Sequence, residues 1–162
     1  EAFNDSVSVG PGNATTVEFD VPVPVDASLG PAFVEVETDD DDAATRVDVE
    51  EQPAPANFTL EVDEAASLLE VTNGSTARVA VEIDNVGDLA GNTSVNATTD
   101  AGGPVNVTTD ELAGGESTTE IVRIPVDPAG LGDSSESFQV NLTTLNDSAT
   151  TDVTVNPRPD EA

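Results

Sequence analysis

The densest group of potential ligands in this sequence is the acidic run Asp39-Asp40-Asp41-Asp42. Hard carboxylate oxygens of this kind suit Ca²⁺ or Mg²⁺. A calcium loop, however, spaces its ligands as Asp-x-Asp-x-Asp-Gly, and a contiguous run does not match that spacing. The run therefore reads first as a solvated acidic hairpin tip, with Asp39, Asp40, Asp41 and Asp42 kept as the one metal candidate.

The second chemical signal is Asn-x-Ser/Thr, the acceptor motif for N-linked sugar in exported chains. It occurs at nine positions: Asn4, Asn13, Asn57, Asn73, Asn92, Asn96, Asn106, Asn141 and Asn146. Asn and Thr are common in polar β-proteins, so part of this set arises by composition. Several of the motifs nevertheless fall where turns or strand edges are expected, and the sequence predicts an extracellular protein bearing N-linked glycans.

Other chemistry is scarce. The chain has no His, Cys or Tyr, and its four basic residues are all arginine: Arg46, Arg78, Arg123 and Arg158. The usual nucleophiles, bases and soft metal ligands are missing. Carboxylate pairs survive as possible glycosidase groups, but a sugar cleft generally needs stacking aromatics. The aromatics here are five phenylalanines, and those placed in strands sit at core positions. The sequence predicts no enzyme, no catalytic residue and no cofactor.

The elements that would position these groups are strands. Phe58, Leu60 and Val62 alternate with polar residues, as do Val79, Val81 and Ile83. That period of two, bounded by Gly, Asn, Asp and Pro, is the strand signature. Further strands are predicted over 67–71, 93–98, 105–108, 118–126, 137–143 and 149–155. Seven or eight short strands in about 100 residues form the pattern of an antiparallel Ig-like sandwich. The stretch 63–69 is the one segment compatible with a helix, and it is too short to form one alone. No run of about 18 apolar residues is present, so no membrane span is predicted.

The balance of 33 acidic against 4 basic residues gives a net charge of −29. Such acidity accompanies either disorder or folding in concentrated salt, where the Debye length shrinks to about 3 Å and like charges barely repel. Regular valine alternation favours the second. So does the lack of lysine, whose long apolar stem adds greasy surface. A surface this negative is repelled by phosphate, which excludes a nucleic-acid partner. With no Met or signal segment at its start, the sequence is expected to be a processed or excised piece.

An internal repeat organises the chain. The stretch 8–16 resembles 111–119. Phe19, Val21 and Val23 then match Val122, Ile124 and Val126. Val34 and Val36 are aligned with Phe138 and Val140, and Val47 and Val49 with Val153 and Val155. This alignment makes the tip of the last hairpin about two residues longer in the second copy. The predicted organisation is a partial module over 1–52 (the second half of the repeat), a proline linker over 53–56, a complete module over 57–157 and a tail over 158–162. The fold class is all-β: tandem antiparallel sandwiches, the first copy incomplete.

The strand ending Asp84-Asn85-Val86-Gly87, followed by the turn Leu112-Ala113-Gly114-Gly115-Glu116 and a Thr-rich strand, resembles the CARDB-type Ig-like modules of archaeal and bacterial surface proteins. Gly87 and Gly114 or Gly115 are expected to supply backbone with φ > 0. The resemblance covers roughly 56–157, and its second half again 1–52, where the Asn-x-Gly half is absent. It implies an adhesive or spacer role at a cell surface, often in tandem arrays, with no shared catalytic residues. The expected function is a structural module of a glycosylated surface protein of a halophilic archaeon: an S-layer-like, stalk or adhesin segment. Its partners would be other copies of itself or neighbouring Ig-like modules. The alternative is a subunit of a pilus-like filament or halophilic virus surface structure, assembled by strand complementation of the open first module.

Overall fold

The computed structural model describes residues 4–128, 131 and 133–159. It contains ten strands and no α-helix among the described residues. They form two compact units, 1–52 and 53–162.

The second unit is a two-layer sandwich. Its strands are β3 (Phe58–Leu68), β4 (Glu70–Thr72), β5 (Thr76–Asn85), β6 (Ser94–Thr99), β7 (Gly102–Thr108), β8 (Ser117–Pro125), β9 (Glu136–Thr143) and β10 (Ser148–Asn156). One sheet has the order β3-β5-β8, the other β4-β10-β9-β6-β7. Each strand turns its aliphatic set inward because alternate side chains point to opposite faces. Ala77, Val79, Val81 and Ile83 of β5 are fully buried, as are Val122 and Ile124 of β8. They meet Val95, Val140, Leu142, Val153 and Val155 from the other sheet. Phe58 is buried, whereas Phe138 is only half-buried at the margin.

The first strand of this unit changes sheets. β3 pairs antiparallel with β5 through Phe58↔Asn85 to Asp63↔Ala80, then bulges before Leu68↔Arg78. In the bulge the Ser67 hydroxyl accepts the Ala80 N–H, and the Asp63 carboxylate accepts the Ala66 N–H. The stretch that looked helix-compatible is thus a bulged strand. Beyond it, Leu69 accepts the N–H of Thr154 and the chain pairs with β10 in parallel. The sandwich is antiparallel as expected apart from one edge contact: β4·β10 is parallel, because a strand that crosses from one layer to the other keeps its direction. A split first strand, a three-stranded sheet and a sheet with a parallel edge give this unit its Ig-like topology.

Residues 53–56, expected as a linker, belong to this unit. Ala54 accepts the N–H groups of Asp88 and Leu89 and donates its own N–H to the Asp88 carboxylate. Glycine at 87 permits this approach: a Cβ there would be driven into the Pro55 carbonyl oxygen, and one at Gly114 into that of Asp88. Neither residue has positive φ; only Gly115 of the three does, at 77°. Two of the motif's glycines therefore serve close backbone approach. Gly87→Ala is expected to cost toward the upper end of the roughly 1–3 kcal/mol typical of overpacking. Gly103→Ala, with open space around its Cβ and no positive φ, is expected to change stability by less than about 0.5 kcal/mol. Urea unfolding of both variants measures the contrast.

The first unit is a single hairpin, β1 (Gly30–Glu37) with β2 (Asp42–Val49). Residues 4–29 form no strand, although Phe19, Val21 and Val23 have strand spacing. The second unit supplies the reason. Its matching strand, β8, pairs only with β5, and the described residues of the first unit include no counterpart of β5.

Candidate functional site

The hairpin tip that carries the acidic run is closed by a set of short-range hydrogen bonds. Thr38 N–H donates to the Asp41 carbonyl at 2.8 Å, and the Thr38 hydroxyl donates to the same oxygen at 3.0 Å. Asp41 N–H returns to the Thr38 hydroxyl, and the Asp41 carboxylate accepts the Asp42 N–H, both at 3.0 Å. Asp39 and Asp40 occupy the exposed apex. Among the described residues no group of three or more acidic side chains converges as a metal site.

The same network recurs at the tip of β9–β10. Thr144 N–H donates to the Asp147 carbonyl at 2.8 Å, Asp147 N–H to the Thr144 hydroxyl at 3.0 Å, and Ser148 N–H to the Asp147 carboxylate at 2.8 Å. The strand register is shared too. Ala32↔Val47, Val34↔Thr45 and Val36↔Ala43 correspond to Phe138↔Val153, Val140↔Thr151 and Leu142↔Ala149. Upstream, the turn closed by Asn13 N–H on the Gly10 carbonyl has Gly12 at φ 76°. Its counterpart is closed by Glu116 N–H on Ala113, with Gly115 at φ 77°. Two details of the predicted alignment are corrected. Val34 and Val36 match Val140 and Leu142, and the two tips are equal in length, so the extra residues of the second copy lie in the connection before β9.

What differs is the cover. Val140, Leu142, Val153 and Val155 are buried, whereas Val36 and Val47 are 46% and 39% exposed. In the second unit Asp147 also reaches the opposite sheet, accepting the Leu60 N–H at 2.9 Å. Asp41 has no such bond among the described residues.

Eight of the nine sequon asparagines are exposed: Asn4, Asn13, Asn57, Asn92, Asn96, Asn106, Asn141 and Asn146. Three gather on the outer face of the five-stranded sheet. Asn96 and Asn106 are direct cross-strand partners, with the Asn106 amide donating to the Asn96 carbonyl oxygen at 2.7 Å, and Asn141 lies opposite Thr98. A shallow polar depression between Thr98, Asp100, Ser137, Gln139 and Asn141 borders them. Asn73 is the exception. It is half-buried in the turn before β5, its side-chain oxygen is buried, and its backbone carbonyl accepts from Arg158 at 3.3 Å.

The polar group that the sequence did not reveal is Asn85, wholly buried at the end of β5. Its amide nitrogen donates to the carbonyls of Leu89, Leu112 and Ala113. Its oxygen accepts from Asn57 and Gly87. The Asn-x-Gly signal marked a turn, but the burial of its side chain depends on two loops distant in sequence.

No family model matches the sequence, and no curated protein does. Among solved structures, the chain is similar to the CARDB domain of a Pyrococcus furiosus protein, crystallised with two metal ions. The match is 21% identical, with a TM-score of 0.47 over 64% of this chain and 96% of that one. The solution structure of that domain matches at 22% identity and TM-score 0.45, over 62% of this chain and 95% of that one. A β-glucosidase from Listeria innocua bound to glucose is similar at 19% identity and TM-score 0.45, over 62% of this chain but only 16% of the enzyme. The chain thus has CARDB domains among its structural neighbours, and its own strand order and register make it an all-β protein with an Ig-like sandwich and a second, incomplete copy of the same module.

Proposed function

We propose that this chain is a non-catalytic structural module of an extracellular, N-glycosylated surface protein of a halophilic archaeon, serving as an S-layer-like, stalk or adhesin segment. The observation that carries the reading is the placement of the sequons. Eight of nine asparagines face solvent, and six of these, Asn57, Asn92, Asn96, Asn106, Asn141 and Asn146, lie in the second unit with its closed aliphatic core, so sugar can be added without opening that fold. The acidic surface is the complement of that role in brine, where carboxylates keep the protein soluble while salt suppresses their repulsion. A second reading, a filament or virion subunit built by strand complementation, is favoured by the uncovered β1–β2 hairpin.

Glycopeptide mass spectrometry of the native protein tests the first reading. Sugar is expected on several exposed sites and absent from Asn73. A native protein free of sugar, or one modified chiefly at Asn73, would count against it.

A further inference from the structure

The β1–β2 hairpin has the register, turn and hydrogen bonds of β9–β10, yet three features satisfied in the second unit stand open in the first. The inward face, with Val36 and Val47 exposed and Val34 half-buried, lacks an opposing sheet among the described residues of its unit. The free edge of β1 corresponds to the edge of β9 that pairs with β6 through Ala97↔Leu142 and Thr99↔Val140. Asp41 corresponds to Asp147, whose carboxylate takes a backbone N–H from β3. Residues 17–25 add a fourth, a segment with strand spacing whose counterpart β8 is held by β5.

All four are met in the second unit by one continuous stretch, the one containing β3 to β6, which in the complete module precedes the part that the first unit repeats. We infer that the open hairpin is a docking face for a β half-module of this same kind. Such a partner carries a strand antiparallel to β1, a short strand parallel to β2, a strand for residues 17–25, and a backbone N–H for Asp41. Random apolar adhesion would require none of the last three. The unpaired backbone edge and the preset carboxylate make the face selective for a strand in one register. The inference concerns the hairpin alone and holds whatever compartment the protein occupies and whether or not it carries sugar.

The test extends the whole chain by placing a second copy of residues 53–106 directly before Asn4. Hydrogen exchange is then compared with the original chain, residues 53–162 serving as the internal folding standard. Amides of 17–25, of β1 and of β2 are expected to gain protection of at least about 100-fold, because they become part of a cooperative core. Asp41→Ala in the extended chain is expected to reduce that gain about tenfold without altering protection in 53–162. Unchanged exchange in β1 and β2 of the extended chain overturns the inference, as does a grafted segment that stays unprotected. It is also overturned if the original chain protects its hairpin in proportion to concentration and sediments as a dimer, since the occupant would then be a second copy.

Discussion

Replacing Asn85 by alanine is expected to destabilise the second unit by about 3–5 kcal/mol, the upper range for a point substitution. The side chain is fully buried and joins three segments. Its amide protons are shared among Leu89, Leu112 and Ala113 carbonyls at 2.9–3.2 Å, and its oxygen receives Asn57 and Gly87 N–H at 3.2 and 3.1 Å. Alanine removes every one of these bonds and leaves backbone groups that water reaches poorly, at a cost of about 1–3 kcal/mol for each group truly stranded. The main chain of Asn85 is bonded to the same loop, donating to Glu116 and accepting from Gly115, so the site has little freedom to collapse. Asn85→Asp separates hydrogen bonding from packing. A carboxylate there would face three carbonyl oxygens, so the folded state favours the protonated acid and raises its pKa. A raised acid pKa makes stability greatest at low pH and lost as pH climbs past the unfolded value of about 3.9. Measured against the parent at each pH, the Asp variant should be less impaired at pH 4 than at pH 7. Equal impairment at both would mean that the cluster is not closed to water.

Most of the strand positions were legible because β-branched residues alternate with Thr, Asn and Glu. The alternation of Val79, Val81 and Ile83 fixes both the strand and its inward face. Three things were not legible, each for a physical reason. A period of two is unchanged by a slip of two residues, so valine spacing alone aligned Val34 with Phe138 instead of Val140. The marker that resolves it is Thr-x-x-Asp at both tips, Thr38 with Asp41 and Thr144 with Asp147, whose bonds fix each turn. The strand expected around Phe19 has the right residues but no pairing partner, and a strand is a property of two segments. The parallel β4·β10 contact depends on the bulge between Asp63 and Leu68, which holds its place through Ser67 and Ala80, residues that carry no strong local signal. The candidate site divides in the same way. The sequons could be listed from sequence, but their exposure, the pairing of Asn96 with Asn106 and the withdrawal of Asn73 follow from register and burial.

Thermal stability is expected to rise steeply as NaCl increases from about 0.05 M to 1 M and more gently beyond. The charges have few partners: against 33 acidic residues the chain has four arginines. The described ion pair, Arg46–Asp48, lies on one strand with both side chains more than half exposed, where such pairs contribute little. Two of the other arginines, Arg78 and Arg123, face each other across β5 and β8 instead of meeting carboxylates. Repulsion among carboxylates is thus left to the solvent, and the Debye length falls from about 10 Å at 0.1 M to about 3 Å at 1 M. The core has little reserve against that repulsion, because its largest fully buried side chains are Ile83, Ile124 and Leu142 and no aromatic is among them. A gain of about 2 kcal/mol over this range would lift the midpoint by roughly 8–16 °C for a unit of about 100 residues. Screening and salting-out separate by their form. Screening is nearly complete by 1 M and depends on ionic strength, whereas strengthened apolar burial keeps growing and is larger for sulfate than for chloride. Midpoints that coincide for chloride and sulfate at equal ionic strength, then flatten, assign the effect to the carboxylates. A midpoint that stays level from 0.05 M upward would show that the acidic surface is not what limits this fold, and would remove the physical ground for reading its charge as adaptation to brine.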